Sequence, residues 1–310
     1  DLQAPIKRVR AAISSKDIVA YQTHYLIKGG RIYAQNGRVK ASAPFPIEGE
    51  FLVSGLEFER AVDRLPGDFK VEIMEDFVRI KSGRFRSDIR TLPADTFDMP
   101  KVEGTKVKVN FDQFLDTLRA LRPFVSDNAT KSFSLSIAFK GGKAYATNNV
   151  AMAMAEVSGL PKKVDVRLPV WAVDYILSVD SPLKQSVWTA HNATFFWDDG
   201  TNMQTHLGAD PFPDIAFKLM AEVGDCPFEI TDDWRSAMLT MSDLGEGELN
   251  ILKDHVIVGK GKASTRADIK SPTPKDSDYS RWNIGNLLPV MQSATHLDFT
   301  AWPKPMTFKW

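Results

Sequence analysis

Cysteine, an excess of charge of either sign and long apolar runs are what this sequence of 310 residues lacks. It has one cysteine, Cys226, so no intrachain disulfide can form, and its five histidines show no H-x-x-x-H or C-x-x-C spacing. That usage points to a reducing, cytoplasmic setting without structural zinc. Lys plus Arg number 39 and Asp plus Glu number 39, so no global field draws nucleic acid or anionic membrane. Any polyanion site must be a local patch. No apolar stretch approaches the ~18 residues of a membrane span, and Asp1 to Arg10 does not read as a signal peptide. Phosphate-loop, dinucleotide, nucleophile-elbow and zincin motifs are all missing, so neither catalysis nor a cofactor is expected.

What is present is the balance of a soluble globular protein, 43% hydrophobic and 25% charged, together with an internal repeat. Ile27 to Ala43 matches the stretch beginning Phe139-Lys140-Gly141-Gly142 at an offset of 112, with eight of seventeen positions identical. Leu92-Pro93-Ala94-Asp95-Thr96-Phe97 matches Leu207-Gly208-Ala209-Asp210-Pro211-Phe212 at an offset of 115. Two matches in the same order at nearly one offset mean two copies of one domain, over 1–102 and 103–216, with 217–310 about one copy more.

Each copy halves again. Strand-like runs lead into helices around Val53, Val109 and Val166, then near Phe228 and Arg281, which makes six units of about 52 residues. Ser54, Asn110, Thr231 or Asp232, and Asn283 supply side-chain oxygens suited to helix starts. Phe111, Phe114, Leu115 and Leu118 form one apolar stripe. Gly29-Gly30, Ser82-Gly83, Gly141-Gly142 and Asp199-Gly200 mark tight hairpins. The predicted class is α+β, with each copy built from two β-α-β-β-β halves whose helices cover one face of antiparallel sheets.

Local chemistry is sparse. Asp198-Asp199 has the look of a carboxylate pair but sits with Gly200 at a hairpin tip, and Asp232-Asp233 suits a helix start. His191, His206, His255 and His296 stand singly on strand-like segments. The first helix, about Pro5 to Ser15, carries Lys7, Arg8 and Arg10 with Lys16 beyond and no acid inside, a local basic face. Arg119 and Arg122 end the third helix, which starts with Asp112 and Asp116.

Ile80 to Phe97, with its I-K-S-G-R and T-L-P-A-D-T-F elements, resembles the end of the first domain of the bacterial DNA polymerase sliding clamps, the replicase beta subunits. Ala146 to Val157 is similar to their A-T-D-G-H-R-L-A-x-A-E-V run, and Phe212-Pro213-Asp214 to the F-P-D that closes their second domain. Asn148, Asn149, Val150 and Ala151 replace the family's Asp-Gly-His-Arg, and Met220 its proline. The third domain would be shortened by about one strand and a tail. That divergence suggests a viral (phage) clamp more than a cellular one, acting in bacterial or phage-infected host cytoplasm.

The resemblance implies three tandem clamp domains and a head-to-tail homodimeric ring whose helices surround double-stranded DNA without reading its sequence. The partners would be a DNA polymerase and a clamp loader ATPase, with no metal, membrane or catalysis. By position, the partner-peptide pocket would be Thr147, Asn149, Val150, Met152, Leu219 and Met220. The DNA-facing cations would be Lys7, Arg8, Arg10, Lys16, Arg119 and Arg122, and the dimer interface Leu239, Met241 and Leu244. Two alternatives are an enzyme or ligand-binding protein on repeated α+β modules, with Asp198 and Asp199 as its site, and a clamp-like scaffold that does not encircle DNA.

Overall fold

The computed structural model describes residues 2–15, 19–64, 70–97, 101–128, 131–244, 247–260, 263–271, 273, 277–298 and 306–310. The first half comprises α1 (Gln3–Val9), β1 (His24–Lys28), β2 (Arg31–Gln35) and β3 (Val39–Pro44). The second is β4 (Glu50–Ser54), α2 (Gly55–Arg64), β5 (Lys70–Ile73), β6 (Phe77–Ser82) and β7 (Phe85–Leu92). The third is β8 (Thr105–Val107), α3 (Phe111–Leu121), β9 (Ser136–Lys140), β10 (Lys143–Thr147) and β11 (Met152–Glu156). The fourth is β12 (Asp165–Pro169), α4 (Val170–Ser178), β13 (Leu183–Trp188), β14 (Asn192–Trp197) and β15 (Asn202–His206). After α5 (Asp214–Ala221) comes the fifth, with β16 (Phe228–Glu229), α6 (Asp232–Leu244), β17 (Glu248–Leu252), β18 (Val256–Lys260) and β19 (Ala263–Ala267). The sixth is β20 (Tyr279–Asn283), α7 (Ile284–Ser293), β21 (His296–Asp298) and β22 (Thr307–Lys309).

The repeat offsets are therefore structural. Moving 112 positions along carries β1 and β2 onto β9 and β10, and moving 115 carries β4 onto β12 and β6 onto β14. Four halves show the full β-α-β-β-β order among the described residues. Among the described residues the first half shows no strand before its helix and the sixth shows two strands after its helix, so the described halves are not six equal ones. Gly29 and Gly30 turn β1 into β2 with φ of 58° and 69°, the paired positive values that match a hairpin's twist and that side chains resist.

The chain forms two compact units, one of Asp1–Arg122, Asp127–Tyr145 and Ala155–Pro211, the other of Pro123–Ser126, Ala146–Met154 and Phe212–Trp310. In the first, eleven strands form one sheet in the order β5-β6-β7-β4-β1-β2-β3-β15-β14-β13-β8. The step from β3 to β15 is an antiparallel ladder joining the first repeat to the second, with Ala41 opposite Met203, so residue 102 does not divide compact units. In the second unit β19-β18-β17-β20 and β16-β21-β22 form separate sheets.

Helix α3 illustrates how helices seat on sheets. Asn110 Oδ1 accepts from Gln113 N at 3.1 Å, satisfying one orphan donor of the first turn. Its buried stripe is Phe114, Thr117, Leu118 and Leu121, whereas the predicted Phe111 and Leu115 are only half-buried at its flank. Phe114 stacks on Phe139 of β9 at 5.6 Å and on Phe195 of β14 at 6.3 Å between ring centroids, so one ring ties two sheets together. The first helix is shorter than expected, with a 3-10 turn over Arg10–Ala12. Asn283 caps α7 through Asn286 N, and Thr231 rather than Asp232 caps α6 through Trp234 N. His191 and His255 lie in turns, not strands.

Candidate partner-binding site

The turn after β10 is held by its own side chains. Thr147 Oγ1 donates to Ala151 O at 2.9 Å and accepts from Asn149 N at 3.1 Å. Asn148 Oδ1 accepts from Val150 N at 3.1 Å and from Ala151 N at 2.8 Å. This closes the loop around Asn149, whose φ of 70° is a left-handed value that Asn tolerates better than most residues. Every backbone donor from Asn149 to Ala151 is thereby satisfied inside the turn, and Val150 projects outward at 67% exposure. Met152 follows, half-buried, at the start of β11.

Helix α5 belongs to the same compact unit as this turn. It buries Ala216, while Phe217 packs on Phe212 at 5.5 Å between centroids. The opposite side carries Ile215 at 61% exposure and Leu219 at 49%, one turn apart, with Val223 at 38% beyond the helix end and Met220 half-buried. Large apolar side chains repeated at i and i+4 on the outside of a short helix form an exposed patch of the kind that marks interaction sites. Ile215 and Val223 were not among the predicted site residues, although their spacing from Leu219 was readable.

The predicted DNA-facing cations separate by their partners. Lys7 is exposed and pairs with no carboxylate among the described residues, and Lys16 lies outside them. Arg8 Nε is 3.1 Å from Asp199 Oδ2, so its charge is spent within the fold. Arg10 Nε lies 3.1 Å from Glu59 Oε2 but remains 66% exposed. Glu59 also accepts from the buried Tyr25 hydroxyl, and burial followed by this carboxylate holds the phenol well above its ordinary range. Arg119 pairs with Asp116 at 2.8 Å. Arg122 holds Asp174 and Asp127, each at 2.5 Å, and the hydrogen bond to Asp174 raises its guanidinium pKa further. Across α1 to α4, α6 and α7 nine carboxylates stand against six Lys and Arg.

The predicted interface residues also divide. Leu244 is 64% exposed, Leu239 half-buried, and Met241 is 2% exposed in the core of its own unit, because it falls on the inward side of α6 with Trp234 and Met238. Beside them α6 and β19 bound a shallow groove of about 360 Å³, lined by Ala237, Thr240, Met241, Leu244 and Arg266 among others. The Asp198-Asp199 pair resolves into turn chemistry. Asp198 pairs with Lys184 at 3.4 Å, and Asp199 Oδ1 accepts from Thr201 N at 2.9 Å. Among the described residues no three His, Cys, Asp or Glu side chains converge as a metal-ligand set, and no helix is long and apolar enough to cross a membrane.

No family model and no curated protein matches the chain in sequence. Solved structures do. The Caulobacter crescentus beta sliding clamp superposes with a TM-score of 0.81 over 99% of this chain and 92% of that one, at 16% identity. The Helicobacter pylori beta clamp bound to a DNA ligase peptide gives 0.80 over 98% and 93%, at 15% identity. The DNA polymerase sliding clamp of Bacillus subtilis gives 0.79 over 99% and 92%, at 15% identity. At these identities the likeness speaks for architecture, and it spans nearly the whole of both chains: this chain has the fold of the bacterial DNA polymerase sliding clamps.

Proposed function

We propose that the protein is a sliding clamp, a processivity factor that closes head to tail into a homodimeric ring of three domains per chain. The observation that carries this reading is the clamp architecture over 99% of the chain. Unpaired strand edges support it. Among the described residues β7 meets β4 only through Leu52 opposite Leu92 and Val53 opposite Thr91, which leaves Phe85 to Arg90 without a strand partner on that side, and β19 ends its sheet. Such edges invite pairing with another chain, and a second copy closes them in a ring. The patch of Val150, Ile215 and Leu219, with Thr147, Asn149, Met152 and Met220, would take a short apolar segment of a polymerase. The Helicobacter clamp is known with a DNA ligase peptide bound. A clamp loader ATPase would open the ring.

A second reading, a clamp-like scaffold that does not encircle DNA, is favoured by the excess of carboxylates on the helices and by the ion pairs of Arg8, Arg119 and Arg122. Electron micrographs together with DNA retention separate the two. The clamp reading expects rings with a hole of duplex width, retained after loading on nicked circular DNA and released when it is linearised. Rings that are not retained favour the scaffold, and monomers alone at micromolar concentration overturn both ring readings.

A further inference from the structure

Three arginines from the first repeat reach across the β3–β15 ladder. Arg8 Nε lies 3.1 Å from Asp199 Oδ2, its Nη2 donates to Asp180 O at 2.6 Å, and its backbone carbonyl accepts from the Tyr175 hydroxyl at 2.5 Å. Arg31 Nη2 donates to Ser42 Oγ at 2.9 Å and to Gly200 O at 2.7 Å, while Ser42 Oγ donates to Asn202 Oδ1 at 3.1 Å. The Arg38 guanidinium stacks over Trp171 at 5.1 Å, and its carbonyl accepts from Thr205 Oγ1 at 3.2 Å. The acceptors are themselves positioned. Asp199 N donates to Ser181 Oγ at 3.2 Å and Asp199 Oδ1 holds Thr201 N at 2.9 Å, which aims the second carboxylate oxygen at Arg8.

The geometry points to a conformational device: Arg8 is the latch of a rigid joint, a positioning residue that locks α1 against α4 and the 198–200 turn, and not a phosphate contact. Its guanidinium has one edge on a carboxylate and another on a carbonyl, with 23% of the side chain exposed. Charge-assisted bonds of this kind carry geometric specificity as well as energy, and a planar fork bridging two acceptors resists rotation where a lysine ammonium would not. Gly200 permits the close approach of the turn to β3. With φ of 81° it lies so close to the Pro44 ring that a Cβ would stand 2.8 Å from it, so any larger residue there would push the turn away from β3. The latch makes the first two repeats move as one body, and any bending that a ring needs falls elsewhere. This holds whether or not the ring encircles DNA.

The test is a double-mutant cycle of Arg8→Met and Asp199→Asn on the full chain, read by amide hydrogen exchange. Either change should accelerate exchange in β3 and β15 about tenfold by raising local opening, leave the β9–β12 ladder unchanged, and add little in combination. Arg8→Lys should recover less than half of the protection, because charge without the fork cannot serve both acceptors. If Arg8→Met fails to fold, Asp199→Asn and Arg8→Lys carry the comparison. Exchange equal to the parent in these variants, or fully additive effects, would overturn the latch. So would an Arg8→Lys variant indistinguishable from the parent, or a salt slope of DNA binding lowered by about one unit while exchange in β3 and β15 stays the same.

Discussion

Lys7→Gln and Arg122→Gln each remove one positive charge, yet the structure assigns them different consequences under the clamp reading. Lys7 is exposed and pairs with no carboxylate among the described residues. Arg122 is 25% exposed and already bridges Asp174 and Asp127. A cation that neutralises a phosphate releases counterions, and each such contact contributes ~0.9 to the slope of log affinity against log salt on duplex DNA. Between about 50 and 200 mM salt one contact therefore costs about 3.5-fold in affinity, a loss the parent suffers and Lys7→Gln escapes. Arg122→Gln should leave the slope within ~0.3 of the parent. It should instead lower stability by about 1 kcal/mol, because two part-exposed ion pairs are lost and such pairs are individually weak. Fluorescence anisotropy of a labelled duplex over a potassium chloride series, run beside urea unfolding, reads both quantities. A flattening of about one unit in Arg122→Gln, or an unchanged slope in Lys7→Gln, would refute the division of the cations.

Replacing Leu219 by Glu should weaken binding of a short apolar polymerase peptide at least about tenfold in calorimetry with an unchanged melting temperature, since buried apolar anchors dominate such contacts; unchanged affinity moves the site away from α5. Asn149→Val should cost about 1–3 kcal/mol because a β-branched residue resists the left-handed backbone, whereas Asn149→Gly should be nearly neutral, both measured by thermal melts. Tyr25→Phe should cost about 1–3 kcal/mol by leaving a buried carboxylate one donor short. Its pH signature follows from the raised phenol pKa: the unfolded tyrosine ionises near 10.0 while the folded one stays protonated. Stability is thus complete below that value and falls as pH rises beyond it. The alkaline decline should be shallower in Tyr25→Phe, and an unaltered decline in unfolding midpoints would exclude Tyr25 as its source.

Much of the fold was legible because its signals are short-range. The Gly29-Gly30 and Gly141-Gly142 turns, the Asn110, Thr231 and Asn283 caps and the Phe114–Leu118 stripe each depend on residues within a few positions of one another. The same signals recurring at offsets of 112 and 115 carried the repeat. The candidate site was legible only in part. The turn from Thr147 to Met152 stood out by its likeness to a known motif, but the exposed side of α5 did not, because i, i+4 apolar spacing marks a helix face without saying whether that face is covered.

By itself, then, the sequence determined the α+β class, the repeat and the succession of halves, since periodicity, caps and turns are properties of neighbouring residues. The tertiary structure decided what the charges do. Nothing near Arg8 announces that Asp180, 172 positions away, accepts its hydrogen bond, or that Asp199 neutralises it. It also decided that the β3–β15 ladder joins the first repeat and most of the second in one compact unit, and that Met241 turns inward while Leu244 stays exposed. Ion pairs and strand edges join residues far apart in the chain, and only folding brings them within the few ångströms over which they act.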